Sequence, residues 1–266
     1  MTLRLVAMSA AQDAGFVALA DCSELMSDET LRPSRIIGGQ MLEILLAHHR
    51  IQLARETRDA DLGLNPVALR SPAIVERLHE LGYAKTAGNR FERALPEISV
   101  ADPSRPARAA IDLLVPAYTS RARASVSFGD PPHLDTTEVF GLAFAFKRPA
   151  LEIELELQRL SGEHLRASLE LPDEPSAVML KGGAWQARAE RRDAVDVHRA
   201  LRVAQAASTV PSDFQDSAID AQRAVLLSDF GVPGGDGLRA MAAGLTDEAA
   251  ERVTTETRAL VHRLLG

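Results

Sequence analysis

Arg35-Ile-Ile-Gly-Gly-Gln-Met-Leu-Glu-Ile-Leu-Leu-Ala-His-His-Arg50, continued by Ile51-Gln-Leu-Ala-Arg-Glu-Thr-Arg-Asp-Ala-Asp-Leu-Gly-Leu64, reads as a strand, a Gly-Gly turn, an amphipathic helix and a second strand. Met41, Leu42, Leu45, Leu46 and Ile51 recur at helical spacing, which predicts a helix over 40–53 between strands at 35–37 and 58–64. Successive strand side chains alternate faces, so Ala60, Leu62 and Leu64 are expected in the core while Asp59 and Asp61 emerge together on the opposite face. A rise of about 3.3 Å per residue puts these two acids roughly 7 Å apart at Cα. Like charges that close are costly unless a cation stands by, and an all-oxygen donor pair suits Mg²⁺. Gly38 and Gly39 supply the complementary feature. Without Cβ atoms a phosphate can approach the backbone at a helix N-terminus, where unpaired N–H groups and the positive dipole end favour an anion.

A third acid lies in Ala110-Ile-Asp-Leu-Leu114, inside a predicted strand 109–115 where Ile111, Leu113 and Val115 share one face and Ala110, Asp112 and Leu114 the other. A carboxylate within an apolar strand needs compensation. Three sources are open: a metal site shared with Asp59 and Asp61, as convergent acids in two-metal sites provide, capping by backbone N–H groups, or an arginine such as Arg90 or Arg93.

Gly38-Gly39, the helix, Arg55-x-Thr57-x-Asp59-x-Asp61 and the later strand bearing Asp112 resemble the nucleotidyltransferase superfamily. The arginine-x-threonine lead-in looks most like its AbiEii-like branch, nucleotidyltransferase toxins of bacterial toxin–antitoxin and abortive-infection systems. The resemblance implies an α+β fold, a nucleotidyltransferase-like mixed sheet with flanking helices, followed by a helical C-terminal region. It implies two Mg²⁺ ions on Asp59, Asp61 and Asp112, with Asp112 shared or acting as base. Gly38 and Gly39 would cradle the triphosphate of an NTP such as ATP, Arg55 would neutralise it, and Thr57 would orient the turn into the strand.

A second resemblance lies in Leu180-Lys-Gly-Gly-Ala-Trp-Gln-Ala-Arg188 and Arg191-Arg-Asp-Ala-Val-Asp196. In the AbiEii-like branch a lysine and an acid of such a segment are implied in activity. Lys181 is thus expected to be catalytic and to reach triphosphate oxygens. Asp193 and Asp196, at i and i+3 on a helix, share a face and are expected to orient Lys181 or touch the nucleotide. The bland alternative is an ion-paired helix pair, with Arg188, Arg191 and Arg192 answering the two acids.

Composition narrows the setting. The 266 residues are 46% hydrophobic and 25% charged, ordinary for a globular chain, but only 4% aromatic, too few for a base-stacking platform. A formal charge of −7 argues against coating nucleic acid non-specifically, though not against a local basic groove. One cysteine, Cys22, no leader-like start and no apolar run of about 18 residues together predict a cytoplasmic chain that does not span a membrane.

Elsewhere, helices are expected at 10–28, where the helix braces the sheet, and at 71–82; a hairpin is expected over 83–95 with Gly88-Asn89 as its turn. Strands are expected at 125–128, 136–146, 151–157 and 165–171. Helices follow at 175–190, 193–207, 213–229 and 247–265, with 230–237 as punctuation. Leu151-Glu-Ile-Glu-Leu-Glu-Leu157 alternates so cleanly that Glu152, Glu154 and Glu156 read as a solvated face rather than a metal site. The adjacent His48 and His49 diverge around a helix and read as a solvated or packed pair rather than zinc ligands. Trp185 reads as packing between the two halves. The chain divides into 1–172, the catalytic domain, and 173–266, the helical domain.

The function expected is Mg²⁺-dependent transfer of a nucleoside monophosphate from an NTP to an acceptor. By the resemblance the acceptor is the 3′ end of a tRNA and a cognate antitoxin is a partner. An arginine stripe at 188, 191, 192, 199 and 202 could bind the acceptor's phosphates or be a solvated face. A catalytically idle nucleotide-binding or interaction module, and an enzyme acting on a small hydroxylated compound, are the alternatives.

Overall fold

The computed structural model describes residues 2–52, 57–98, 106–119 and 121–266. The order begins β1 (Thr2–Val6), α1 (Ala10–Met26), β2 (Ser34–Ile37), α2 (Gly38–His48), β3 (Asp59–Leu64), α3 (Ala73–Glu80), β4 (Ala84–Ala87), β5 (Arg90–Leu95) and β6 (Ala107–Pro116). It continues with β7 (Val126–Phe128), β8 (Leu134–Val139), α4 (Leu142–Lys147), β9 (Leu151–Gln158) and β10 (His164–Leu171). From Glu174 the chain is helical, with α5 (Glu174–Arg188), α6 (Arg191–Ala206), α7 (Asp220–Phe230), α8 (Asp236–Ala242) and α9 (Asp247–Leu265). The α+β class and the helical C-terminal region are as the sequence predicts.

The larger sheet has the order β2-β3-β6-β5-β4 and is mixed: β3 runs parallel to β6, and β2 and β5 antiparallel to their neighbours. β6 is long enough to pair with β5 along its first half and with β8, in parallel, through its last three residues. A smaller sheet, β1-β9-β10, is a separate ladder whose β10 lies beside β2, with Arg35 Nη1 2.6 Å from Glu170. Helix α1 packs on β3 and β6 of one sheet and on β10 of the other, and nearly all of its middle is buried. It therefore braces both sheets. Its start is fixed by Ser9, whose Oγ accepts from the Gln12 N–H at 3.2 Å. Asp173 caps α5 in the same way and Pro175 sits in its first turn.

Ala60, Leu62 and Leu64 are fully buried, as alternation requires. Glu152 and Glu154 are exposed, and Glu156 meets His164 at 2.9 Å, so this face is solvated. His49 donates from Nε2 to Glu174 at 2.8 Å and lies edge-on to His48, a packed pair.

Several expectations are corrected. Residues 142–147 form a helix, not the end of a strand. Leu-Ala-Phe-Ala-Phe alternates bulky and small residues, a pattern a short buried helix also satisfies, and here one turn buries Leu142, Phe144 and Ala145 against α5. Residues 213–219 form two short tight turns instead of the start of a long helix, which begins at Asp220. Within the predicted punctuation, α8 starts at Asp236. Its Gly237 is a close-approach glycine, since a Cβ there would meet the Phe230 ring. Helix α2 ends at His48, and β1 was not foreseen. Trp185 packs inside the helical half, edge-on to Phe230 with its indole N–H donating to Asp229 at 2.8 Å, rather than between the halves.

Candidate active site

Sheet register gathers the residues that the sequence singles out. Ile37 pairs with Asp61 across β2–β3, Asp61 with Asp112 across β3–β6, and Asp112 with Arg90 across β6–β5. Paired positions present side chains to the same face, so Asp61, Asp112 and Arg90 form a row across three adjacent strands. Asp59 joins them from two residues earlier on β3.

The Gly-Gly turn closes on this row. Gly38 has φ +69°, and a Cβ on it would overlap the Asp61 carboxylate. A Cβ on Gly39 would run into the Thr57 side chain. The glycines thus let the start of α2 lie directly on the two motif residues of the following segment. Gln40 adds a tie, donating from Nε2 to the Thr57 carbonyl at 2.7 Å. Thr57 Oγ1 is buried with no hydrogen-bond partner among the described residues. Arg55 lies outside the described residues.

A cavity of about 350 Å³ opens over the row. Gly38, Gly39, Thr57, Asp59, Asp61 and Asp112 line one wall. The opposite wall comes from α5 and α6 and includes Lys181, Asp193 and Asp196, so residues more than a hundred positions apart face each other. The helical wall is ion-paired: Lys181 Nζ lies 2.9 Å from Asp196 Oδ2, and Arg188 holds Asp193 through two contacts of 2.5 and 3.1 Å. Arg199 reaches Asp196 at 3.4 Å. Asp196 thus meets Lys181, whereas Asp193 is answered by Arg188, the arrangement of the ion-paired helix alternative. Arg192 pairs with Glu190 and Arg202 with Glu256, so most of the arginine stripe is engaged within the helices.

On the strand wall, Arg90 answers Asp112 at 2.8 Å and Asp59 at 3.1 Å, while its Nε meets Glu92 at 2.9 Å. Of the two arginines weighed against a metal, this is the one that register selects. Arg93 points away and pairs with Asp21 of α1 at 2.7 Å. Burial lowers the Arg90 pKa, but its hydrogen bonds to Glu92 and Asp59 outweigh that and raise it. Asp61 is different: its side chain makes no ion pair or hydrogen bond among the described residues. Burial, then the neighbouring Asp112 charge, push its carboxyl up to about 7 against the pull of Lys181. Burial likewise lifts Asp112 to about 6, with Arg90 opposing and Asp59 adding to the rise.

The donor chemistry fits a hard divalent cation. Asp61 is a desolvated carboxylate with no cation of its own, flanked by two more. As they stand, no three His, Cys, Asp or Glu side chains among the described residues are gathered closely enough to hold an ion. The guanidinium of Arg90 already ties Asp59 to Asp112.

Sequence reasoning missed Glu138, a buried acid on β8 that lines the cavity and is held by Arg123 through its backbone N–H at 2.8 Å and its Nε at 2.9 Å. An acid within Leu134-Asp-Thr-Thr-Glu-Val139 was the available signal. Asn89, in the hairpin turn, lines the cavity as well. No protein-family model matches the chain, and no curated protein matches it.

Proposed function

We propose that the cavity is the active site of a nucleotidyltransferase, which passes a nucleoside monophosphate from an NTP to an acceptor hydroxyl and releases pyrophosphate. The observation that carries this reading is the convergence of Gly38 and the uncompensated Asp61 with Asp112 beside them and Lys181 opposite. The backbone N–H groups at the start of α2 would receive triphosphate oxygens. Lys181, a mobile point charge, would neutralise them from the helical wall while Asp196 sets its direction.

The acceptor oxygen attacks the α-phosphorus as the bond to pyrophosphate breaks. The acceptor's proton goes to a carboxylate, and Asp112, paired with Asp61 across the strands and facing the cavity, is placed to receive it. Mg²⁺, when bound, would stabilise the attacking and leaving oxygens, and Asp59, Asp61 and Asp112 are the residues that would hold it. By the sequence resemblance we assign the acceptor to the 3′ end of a tRNA, the partner to an antitoxin and the location to the cytoplasm.

One observation favours a second reading, an idle nucleotide-binding module. Arg90 ties up Asp59 and Asp112, while Asp196 and Asp193 tie up Lys181 and Arg188, so both charged walls are largely neutralised within the chain. Transfer from α-labelled NTPs to total cellular RNA and to a metabolite extract, with Asp61→Asn alongside, decides. Label that vanishes in the variant supports the enzyme. NTP binding with no label on any acceptor supports the module, and label that survives Asp61→Asn overturns the assignment of the site.

A further inference from the structure

A second cavity, of about 490 Å³, lies on the far side of Arg90, between the first turns of α1 and the β5–β6 pair. Its floor is made of alanines, among them Ala10, Ala11 and Ala14 of α1 and Ala110 of β6, so a ligand can lie close to the backbone. Its charged lining among the described residues is Arg58, Arg90, Arg108 and Glu92. Glu92 is shared, at 2.9 Å from Arg90 and 3.6 Å from Arg108. Arg58 reaches Asp59 at 3.3 Å with its side chain 68% exposed, and Arg108 is 52% exposed. Arg58 and Arg108 each have one carboxylate contact among the described residues, to Asp59 and Glu92 respectively, which leaves guanidinium N–H groups unspent for an anion, and planar guanidinium forks match phosphate oxygens in particular. Among the described residues no aromatic side chain lines the cavity, so they offer bases no stacking surface and the phosphate is the handle.

Position gives this anion site a role. Arg58 and Arg90 both contact Asp59, and Arg90 also contacts Asp112, so two arginines of this lining bond to carboxylates that line the first cavity. A ligand in the second cavity sits beside the carboxylates without occupying the space assigned to the NTP. Resting on the transferase reading above, we propose that this cavity binds the phosphate of the acceptor, a phosphate ester carried either by a polynucleotide strand or by a free nucleotide. Arg58 and Arg108 are its phosphate contacts.

The test measures binding rather than transfer, so it stands or falls separately from the transferase reading. Anisotropy of a short fluorescein-labelled single-stranded RNA is followed with the native chain, Arg58→Glu/Arg108→Glu, Ala11→Glu and, as a control on exposed Arg252 of α9, which lines neither cavity, Arg252→Glu. Ala11→Glu places an acid in the first turn of a helix, where it favours folding, while putting a charge and bulk on the cavity floor. The double variant and Ala11→Glu are each expected to weaken binding about tenfold or more, with a shallower salt dependence, and Arg252→Glu to leave it unchanged. Binding of a fluorescent NTP analogue is expected to be equal in all four. Displacement of the RNA by a nucleoside monophosphate at matched phosphate concentration assigns the site to a free nucleotide, and displacement only by unlabelled strand assigns it to a polynucleotide. The proposal is overturned if the native chain binds neither, if the double variant binds as the native chain does, or if Arg252→Glu loses as much.

Discussion

Asp61 of β3 and Asp112 of β6 are direct partners across a parallel strand pair, and Arg90 of β5 is the next position in the same row. Two acids side by side, one answered by an arginine and one not, divide the electrostatic cost unequally. The guanidinium compensates Asp112 and reaches past it to Asp59, leaving Asp61 as the buried charge that folding alone does not satisfy.

That inequality predicts a pH dependence. The unfolded Asp61 carboxyl ionises near 3.8, whereas the folded one keeps its proton up to about 7. Between these values the native state binds more protons, so stability falls as pH rises from about 4 to about 7 and levels off above. Asp61→Asn should remove most of this slope and stabilise the metal-free protein at pH 8 by on the order of 1–3 kcal/mol. Urea unfolding across a pH series checks it, and identical slopes for native and variant would refute the assignment to Asp61.

Arg90→Ala takes away the cation that holds Asp59 and Asp112. We expect a loss of about 1–3 kcal/mol, below that for a fully buried pair because the Arg90 side chain keeps 23% exposure. The freed carboxylates should then attract Mg²⁺ more strongly. Added Mg²⁺ is expected to raise the unfolding midpoint of Arg90→Ala more than that of the native protein. An equal or smaller rise would show that Arg90 and a metal do not compete for these acids.

Gly39 and Thr57 are coupled by contact alone. A Cβ at 39 meets the Thr57 side chain, so Gly39→Ala should destabilise the native background even though alanine is the better helix residue by about 1 kcal/mol. With Thr57→Ala already in place the same substitution should cost less, because the hydroxyl and methyl are gone and only the Cβ at 57 remains close, at 3.1 Å. A double-mutant cycle in denaturant measures the reduction, and additive effects would mean that the two residues do not touch as described.

The local parts of the site were legible from the sequence. Gly38 and Asp61 follow from a turn that excludes Cβ and from strand alternation, and both rules act within a few residues. Arg90 was legible only as one of two candidates. Arg90 and Arg93 are three positions apart and point to opposite faces of β5, so the choice needed the β5–β6 register, which pairs Arg90 with Asp112 and Arg93 with Ala109. The second cavity was not legible, because Arg58, Arg108 and the alanines of α1 become neighbours only through sheet order and the packing of α1. Helix α4 was misread because alternation over five residues does not separate a strand from one buried helical turn.

Lys181 and Asp196 allow the structural and functional roles of the helical wall to be separated. Their side chains are 8% and 4% exposed and meet at 2.9 Å, so removing either leaves a charge in a poorly solvated place. The two removals differ. Without Lys181, Asp196 retains Arg199 at 3.4 Å, whereas without Asp196 the lysine has the Asp61 carboxylate as the charge across the cavity. Lys181→Met is expected to cost about 1–3 kcal/mol, and Lys181→Met/Asp196→Asn to recover most of that, since deleting both members of a buried pair is often neutral. If Lys181 serves only the fold, the double variant should bind NTP as the native protein does. If it neutralises the triphosphate, the double variant should be stable and still bind NTP at least about tenfold more weakly, because a charge-assisted contact has gone that no restored packing replaces. We expect the second outcome, and unfolding and NTP titration on the native protein and these two variants would establish it.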